Sequence, residues 1–131
     1  MRNKTVPFET LLGMVLTAVE TDNDNEPQKI KFITSTGRHF VMHHHQDCCE
    51  SVYVESIVGD LKDLLEYPIL QAEEAQNPDE APDSHPAISE YESGTWTFYK
   101  LATVRGYVTI RWLGTSNGYY SESVDFEEIL K

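Results

Sequence analysis

Apolar and polar side chains alternate with period two along residues 29–34, where Ile30 and Phe32 interleave with Lys29 and Lys31. That period places successive side chains on opposite faces of an extended strand. Thr36-Gly37 interrupts the pattern and Arg38-His39-Phe40-Val41-Met42-His43 resumes it, so the two runs predict a hairpin. Residues 14–20 and the β-branched run 51–58 also read as strands, the first ended by the turn-rich Asp22-Asn23-Asp24-Asn25-Glu26-Pro27. Residues 8–13 fit one helical turn or the approach to a strand. Leu61, Leu64 and Leu65 stand at i, i+3 and i+4 behind Asp60, a suitable N-cap, and Pro68 follows. A helix of about two turns is expected there, with another short strand over residues 68–73.

The last third predicts a three-stranded meander. Residues 95–103 turn at Arg105-Gly106 and return through 107–112. Asn117-Gly118 then suits a type I′ turn, which needs positive φ at both central residues, before a third strand over 119–124. Alternation puts Val108, Ile110 and Trp112 on one face, assigned to the core with Trp96 and Phe98. The opposite face would carry Tyr107, Thr109 and Arg111 beside Thr97, Tyr99 and Ser121. Its plain reading is a solvated sheet surface. Its sharper one is a shallow platform where Tyr99 and Tyr107 stack a planar ligand and Arg111 meets a phosphate or carboxylate.

These elements predict a mainly β protein, an antiparallel sandwich or half-open barrel with one or two short helices, with α+β as the fallback class. The chain of 131 residues fits a single domain, 1–131. Residues 77–93 hold Pro78, Pro82 and Pro86 among acids without a Lys or Arg, and are expected to be a mobile acidic loop dispensable for folding. The formal charge of −12 disfavours direct nucleic-acid binding through phosphates and suits a basic protein partner or a metal cation. No apolar run approaches the roughly 20 residues of a membrane helix, and no signal peptide is read. The two cysteines, Cys48 and Cys49, are adjacent. A bridge between neighbours is sterically strained, so free thiols in a reducing cytoplasm are expected.

The most distinctive chemistry lies in His43-His44-His45-Gln46-Asp47-Cys48-Cys49-Glu50. Imidazole, thiolate and carboxylate are zinc ligands. On a continuing strand His43 and His45 share a face and can chelate one ion, while a turn at Gln46-Asp47 would bring His45 and Cys49 within range, with Asp47 or Glu50 completing the set. The metal set read from the sequence is His43, His45, Asp47 and Cys49. The paired spacing of established zinc motifs is lacking, and the same residues also suit a buried cysteine beside an exposed histidine edge. A Cys–His nucleophile lacks an evident oxyanion site. Motifs for phosphate cradles, dinucleotide binding or a serine elbow are absent, so the reading leans away from an enzyme.

Three stretches resemble a group of small uncharacterised proteins from bacteriophages and their hosts: residues 42–52, residues 59–74 around Gly59-Asp60-Leu61 and Pro68-Ile69, and residues 94–122, from Gly94-Thr95-Trp96-Thr97-Phe98-Tyr99-Lys100 to Ser116-Asn117-Gly118-Tyr119-Tyr120-Ser121-Glu122. The resemblance implies a phage accessory protein acting in the host bacterial cytoplasm, and it carries no catalytic residue with it. The expected role is binding: a counter-defence inhibitor that occupies a basic surface of a host protein, presenting Asp125, Glu127 and Glu128 in place of phosphates. The alternatives are a sponge for a small nucleotide at Tyr99, Tyr107 and Arg111 or in a dimer cleft, and a zinc-dependent enzyme using His43, His45 and Cys49.

Overall fold

Residues 2–89 and 92–130 are described by the structure, a computed structural model. In chain order the strands are β1 (Arg2–Thr5), β2 (Leu16–Thr21), β3 (Lys29–Thr34), β4 (His39–His43) and β5 (Ser51–Val58), followed by β6 (Gln71–Gln76), β7 (Ser93–Thr103), β8 (Gly106–Ser116) and β9 (Asp125–Leu130). They form two antiparallel sheets, ordered β1-β9-β4-β3-β2 and β5-β8-β7-β6. The expected mainly β class and sandwich layout hold, and the sheets do not close into a barrel.

The core lies between the sheets. In β3 the alternation reads out directly: Ile30, Phe32 and Thr34 are buried while Lys29 and Lys31 are exposed. Phe32, Phe40, Met42 and Phe126 from the first sheet meet Val54, Tyr99, Leu101, Ile110 and Trp112 from the second. Phe40 stacks on Phe126 with centroids 5.5 Å apart, and the Trp112 indole N–H donates to the Met42 thioether at 3.0 Å. Fully burying a side chain of this size contributes roughly 1.5–3 kcal/mol, so a few such contacts rival the net stability of a domain.

Among the described residues the helical segments are two 3-10 turns, Phe8–Leu11 and Leu61–Leu64. Asp60 caps the second by accepting from the Lys62 N–H at 2.9 Å. The expected two-turn helix stops after one turn because Leu65 pairs with Leu16, and the Glu66 N–H, at φ 75°, donates to the Leu16 carbonyl. A tertiary backbone bond replaces the intrahelical one.

Two meander expectations are corrected. Asn117-Gly118 makes a local turn, the Tyr119 N–H donating to the Asn117 side chain, but residues 119–124 are not a strand. β8 is already flanked by β5 and β7, so no edge is free, and the chain crosses to the other sheet as β9. The faces also differ from the reading. Tyr99 pairs with Ile110 and Thr97 with Trp112, which turns Tyr99 into the core at 0% exposure. Trp96 and Phe98 take the outer face with Leu113, covered by Ala81 and Ile88. Part of the proline-rich segment thus packs over aromatic surface, and the Asn77 N–H donates to the Trp96 carbonyl at 2.7 Å. Glu90 and Tyr91 of that segment lie outside the described residues.

Candidate metal centre

β4 ends at His43, which stands opposite Asp125 of β9 on one side and Lys29 of β3 on the other. His43 and His45 fall on one face by the period of two, and Glu127, two residues after Asp125, shares it. His43 Nε2 lies 2.8 Å from Glu127 Oε1, and His45 Nε2 lies 2.8 Å from Oε2. The two imidazole centroids are 4.5 Å apart. From β1, the Asn3 amide donates to Oε1 at 3.0 Å and holds the carboxylate in place. Ligating atoms of His43, His45 and Glu127 all lie within 4.8 Å of one another.

Burial by itself would push the Glu127 carboxyl up. The hydrogen bonds from His43, His45 and Asn3, with the His45 charge, outweigh it and bring the group down to about 2. The carboxylate in turn raises the His45 imidazole, whose side chain remains 61% exposed. The site therefore has a buried oxygen donor held by three hydrogen bonds and one exposed nitrogen donor.

His44 points the other way, as alternation requires. Its Nδ1 donates to the Ser123 carbonyl at 2.6 Å and its Nε2 meets Glu50 at 2.7 Å, with both side chains buried. Glu50 also accepts from the backbone N–H groups of Asp47 at 2.8 Å and Cys48 at 2.9 Å. The His44 bond first, and then these N–H groups, hold the Glu50 carboxyl at about 2. This carboxylate shapes the turn: it bonds the Asp47 and Cys48 N–H groups from within, while residues 47–49 themselves stay exposed.

The expected metal set is corrected accordingly. His43 and His45 come together as read, but the third donor group beside them is Glu127, from a strand more than eighty residues away. Asp47 and Cys49 do not reach the site. Cys48 and Cys49 are joined in a disulfide, contrary to the expectation of free thiols, so neither offers a thiolate. Only one sequence signal could have found Glu127, the Phe126–Glu127 step in an apolar-acidic run that pairs as a strand.

The other expected sites fare differently. Glu127 serves the imidazoles, and Glu128 is held by Arg38 through bonds of 2.8 and 2.9 Å. With Asp125 half-buried, these acids sit within a sheet rather than on a free face. Tyr99 is in the core, which removes it from the proposed platform. Tyr107 is exposed at 77%, whereas Arg111 stacks over Trp96 and donates to Glu55 at 2.8 Å. Arg111 is four positions along β8 from Tyr107, about 13 Å, so they do not form one small pocket.

Both depressed carboxylates give a pH dependence whose sign can be worked out. A group lowered from 4.5 to about 2 stabilises the fold fully above 4.5 and loses that contribution as pH falls towards 2. His45 is raised from 6.5, so its pairing stabilises below 6.5 and is lost as pH rises through its folded value. Chelator-stripped protein should therefore melt highest between pH 4.5 and 6.5. The alkaline fall should be shallow because His45 is largely exposed. Scanning fluorimetry from acid to alkali checks this; a melting temperature that keeps rising above neutrality contradicts it.

Residues 6–126 match the family model described as a domain of unknown function, DUF7448, and the chain belongs to that family. No curated protein and no solved structure matches it.

Proposed function

We propose that this member of the DUF7448 family is a metal-binding protein whose His43, His45 and Glu127 chelate a divalent cation, zinc by the chemistry of the donor set. The observation that supports the reading is the convergence of two imidazoles and a buried carboxylate from two neighbouring strands within 4.8 Å. Two nitrogens and one oxygen suit zinc, whereas calcium and magnesium prefer all-oxygen sets. Bonds of about 2.0–2.1 Å in a tetrahedral site place donor atoms roughly 3.3 Å apart, so the present 2.8 Å contacts open by only about 0.5 Å. The exposed His45 ring can make that movement. Asn3 orients the carboxylate from outside the ligand set, as supporting groups at metal sites commonly do. Three protein ligands leave a fourth position for water or another molecule.

To the resemblance belongs the wider setting of the proposal: a phage-type accessory protein in a bacterial cytoplasm, meeting a basic host protein. Its acidic contact surface would then be drawn from exposed side chains such as Asp24, Glu26, Glu73 and Glu74. Glu73 and Glu74 lie on the edge strand β6.

The test of the metal reading is titration of chelator-stripped protein with Co²⁺, followed by visible absorption and elemental analysis. One equivalent should bind. His43→Ala and Glu127→Ala should abolish binding, while Asp47→Ala and Cys49→Ser should leave it intact. Absence of stoichiometric binding, or binding indifferent to Glu127, would overturn the assignment.

A further inference from the structure

We propose that Cys48–Cys49 is a thiol–disulfide exchange site whose substrates are low-molecular-weight thiols and their disulfides, and not a structural staple. It stands independently of the metal reading. Cys48 and Cys49 are joined across one peptide unit, and both residues are exposed. A bridge stabilises a fold by closing a loop in the unfolded chain, and the effect grows with the number of residues enclosed. No residue lies between these cysteines, so the loop is the shortest a chain can close and the bond does little as a staple. It ties no strand to another.

What holds the turn is a frame of hydrogen bonds that does not involve sulfur. The Cys48 N–H donates to Glu50 Oε1 at 2.9 Å, and the Cys48 carbonyl accepts from the Gln46 amide at 3.2 Å. The same amide donates to the Glu50 carbonyl at 2.6 Å, and the Asp47 N–H donates to Glu50 Oε2 at 2.8 Å. Glu50 is itself buried and bonded to His44 at 2.7 Å. Opening the S–S bond removes none of these partners. The two sulfurs therefore stay on neighbouring residues of a pinned, exposed turn, where each is the nearest attacking group for the other.

Exposure admits the reactant. An incoming thiolate attacks one sulfur and forms a mixed disulfide; the S–S bond breaks, and the other sulfur leaves as a thiolate and takes up a proton. A second thiol then attacks the mixed disulfide. In total two small thiols become one small disulfide, and the protein gains two electrons and two protons as a dithiol. In the reverse direction a small disulfide is reduced and the bridge closes. The neighbouring thiol expels any attached small thiol, so the mixed disulfide should not accumulate. Structural disulfides resist small thiols, whereas exposed ones are the labile and regulatory kind. In a reducing cytoplasm disulfides are rare except as transient, redox-sensing pairs, so the setting proposed above agrees with this chemistry.

The test uses full-length protein in chelator, equilibrated with reduced and oxidised glutathione at a series of ratios, then quenched in acid, alkylated and weighed. The expected result is one reversible transition between bridge and dithiol, reached from either side, with no glutathione adduct accumulating. Cys49→Ser should instead hold glutathione on Cys48, and Cys48→Ser on Cys49, since neither has a neighbour to expel it. Thermal melts of the bridged and dithiol forms should differ by no more than about 5 °C, the scale of a minimal loop. A bridge that stays closed in folded protein under excess glutathione, thiols that do not reclose under the oxidised form, or a larger thermal loss would each overturn the proposal. So would an adduct on the unsubstituted protein as abundant as that on Cys49→Ser.

Discussion

Saturating zinc is expected to raise the melting temperature of chelator-stripped protein by about 10 °C, and Glu127→Gln to remove nearly all of that rise. A ligand that binds only the folded state stabilises by about 2.7 kcal/mol at a hundred times its dissociation constant. For a chain of this size, each kcal/mol moves the midpoint by roughly 3–5 °C. The candidate ligands are on β4, just beyond it and on β9, and Asn3 of β1 supports Glu127, so an ion bound there would tie the middle of one sheet to its edge. Unfolding separates His43 from Glu127 along more than eighty residues of chain, and the unfolded state keeps only the weak pair of nearby histidines. Glu127→Gln retains the shape but replaces a carboxylate with a poor ligand. A Cys49→Ser control should show the full zinc effect. Differential scanning fluorimetry across a zinc series reads both, and an equal rise in Glu127→Gln would place the ion elsewhere.

Gly114→Ala is expected to destabilise the fold by about 3 kcal/mol, at the upper end of the range for overpacking. A Cβ at this position would lie 2.5 Å from the Glu122 carbonyl oxygen and 2.8 Å from its Cβ. Glu122 cannot step aside cheaply. Its buried carboxylate accepts from Thr95 at 2.7 Å and Ser93 at 3.3 Å, and it also bonds the Ser116 hydroxyl. Moving it would leave hydroxyls and a carboxylate imperfectly paired in a dry place. The same loop presents the Ser123 carbonyl to His44, so the displacement should also be felt at the turn beside the candidate metal centre. Urea denaturation measures the loss. A change below about 1 kcal/mol would mean that the loop relaxes freely and that Glu122 does not anchor it.

Much of the strand framework was legible because it depends on local alternation. Residues 29–34 and 51–58 stand in the structure as read, and the long β7–β8 hairpin follows the aromatic and threonine-rich runs on either side of Arg105. The pairing of His43 with His45 was legible for the same reason, since a period of two puts them on one face. The short helix at residues 61–64 was seen with its cap but given an extra turn. Its end is set by Leu16, a distant partner.

What only the tertiary structure decided are the long-range matters. Whether Trp96 or Tyr99 faces the core depends on which side of the sheet meets the other sheet. Both strands have apolar residues at both parities, and residues 78–89 give the second face its cover. Asn117-Gly118 has the local chemistry of a hairpin, but β8 had no edge left to pair, so the chain crossed over. β9 went unread because Glu127 and Glu128 weaken a strand pattern; Arg38 and the two histidines supply their hydrogen-bond partners only once the sheet is assembled. By itself, then, the sequence determined the β character, the alternation of β3 and β8, and the placing of His43 and His45 on one face. The approach of Glu127 to the two histidines, the enclosing of Glu50 and the burial of Tyr99 were decided by sheet order, because contacts between residues far apart in the chain leave no period for local alternation to reveal.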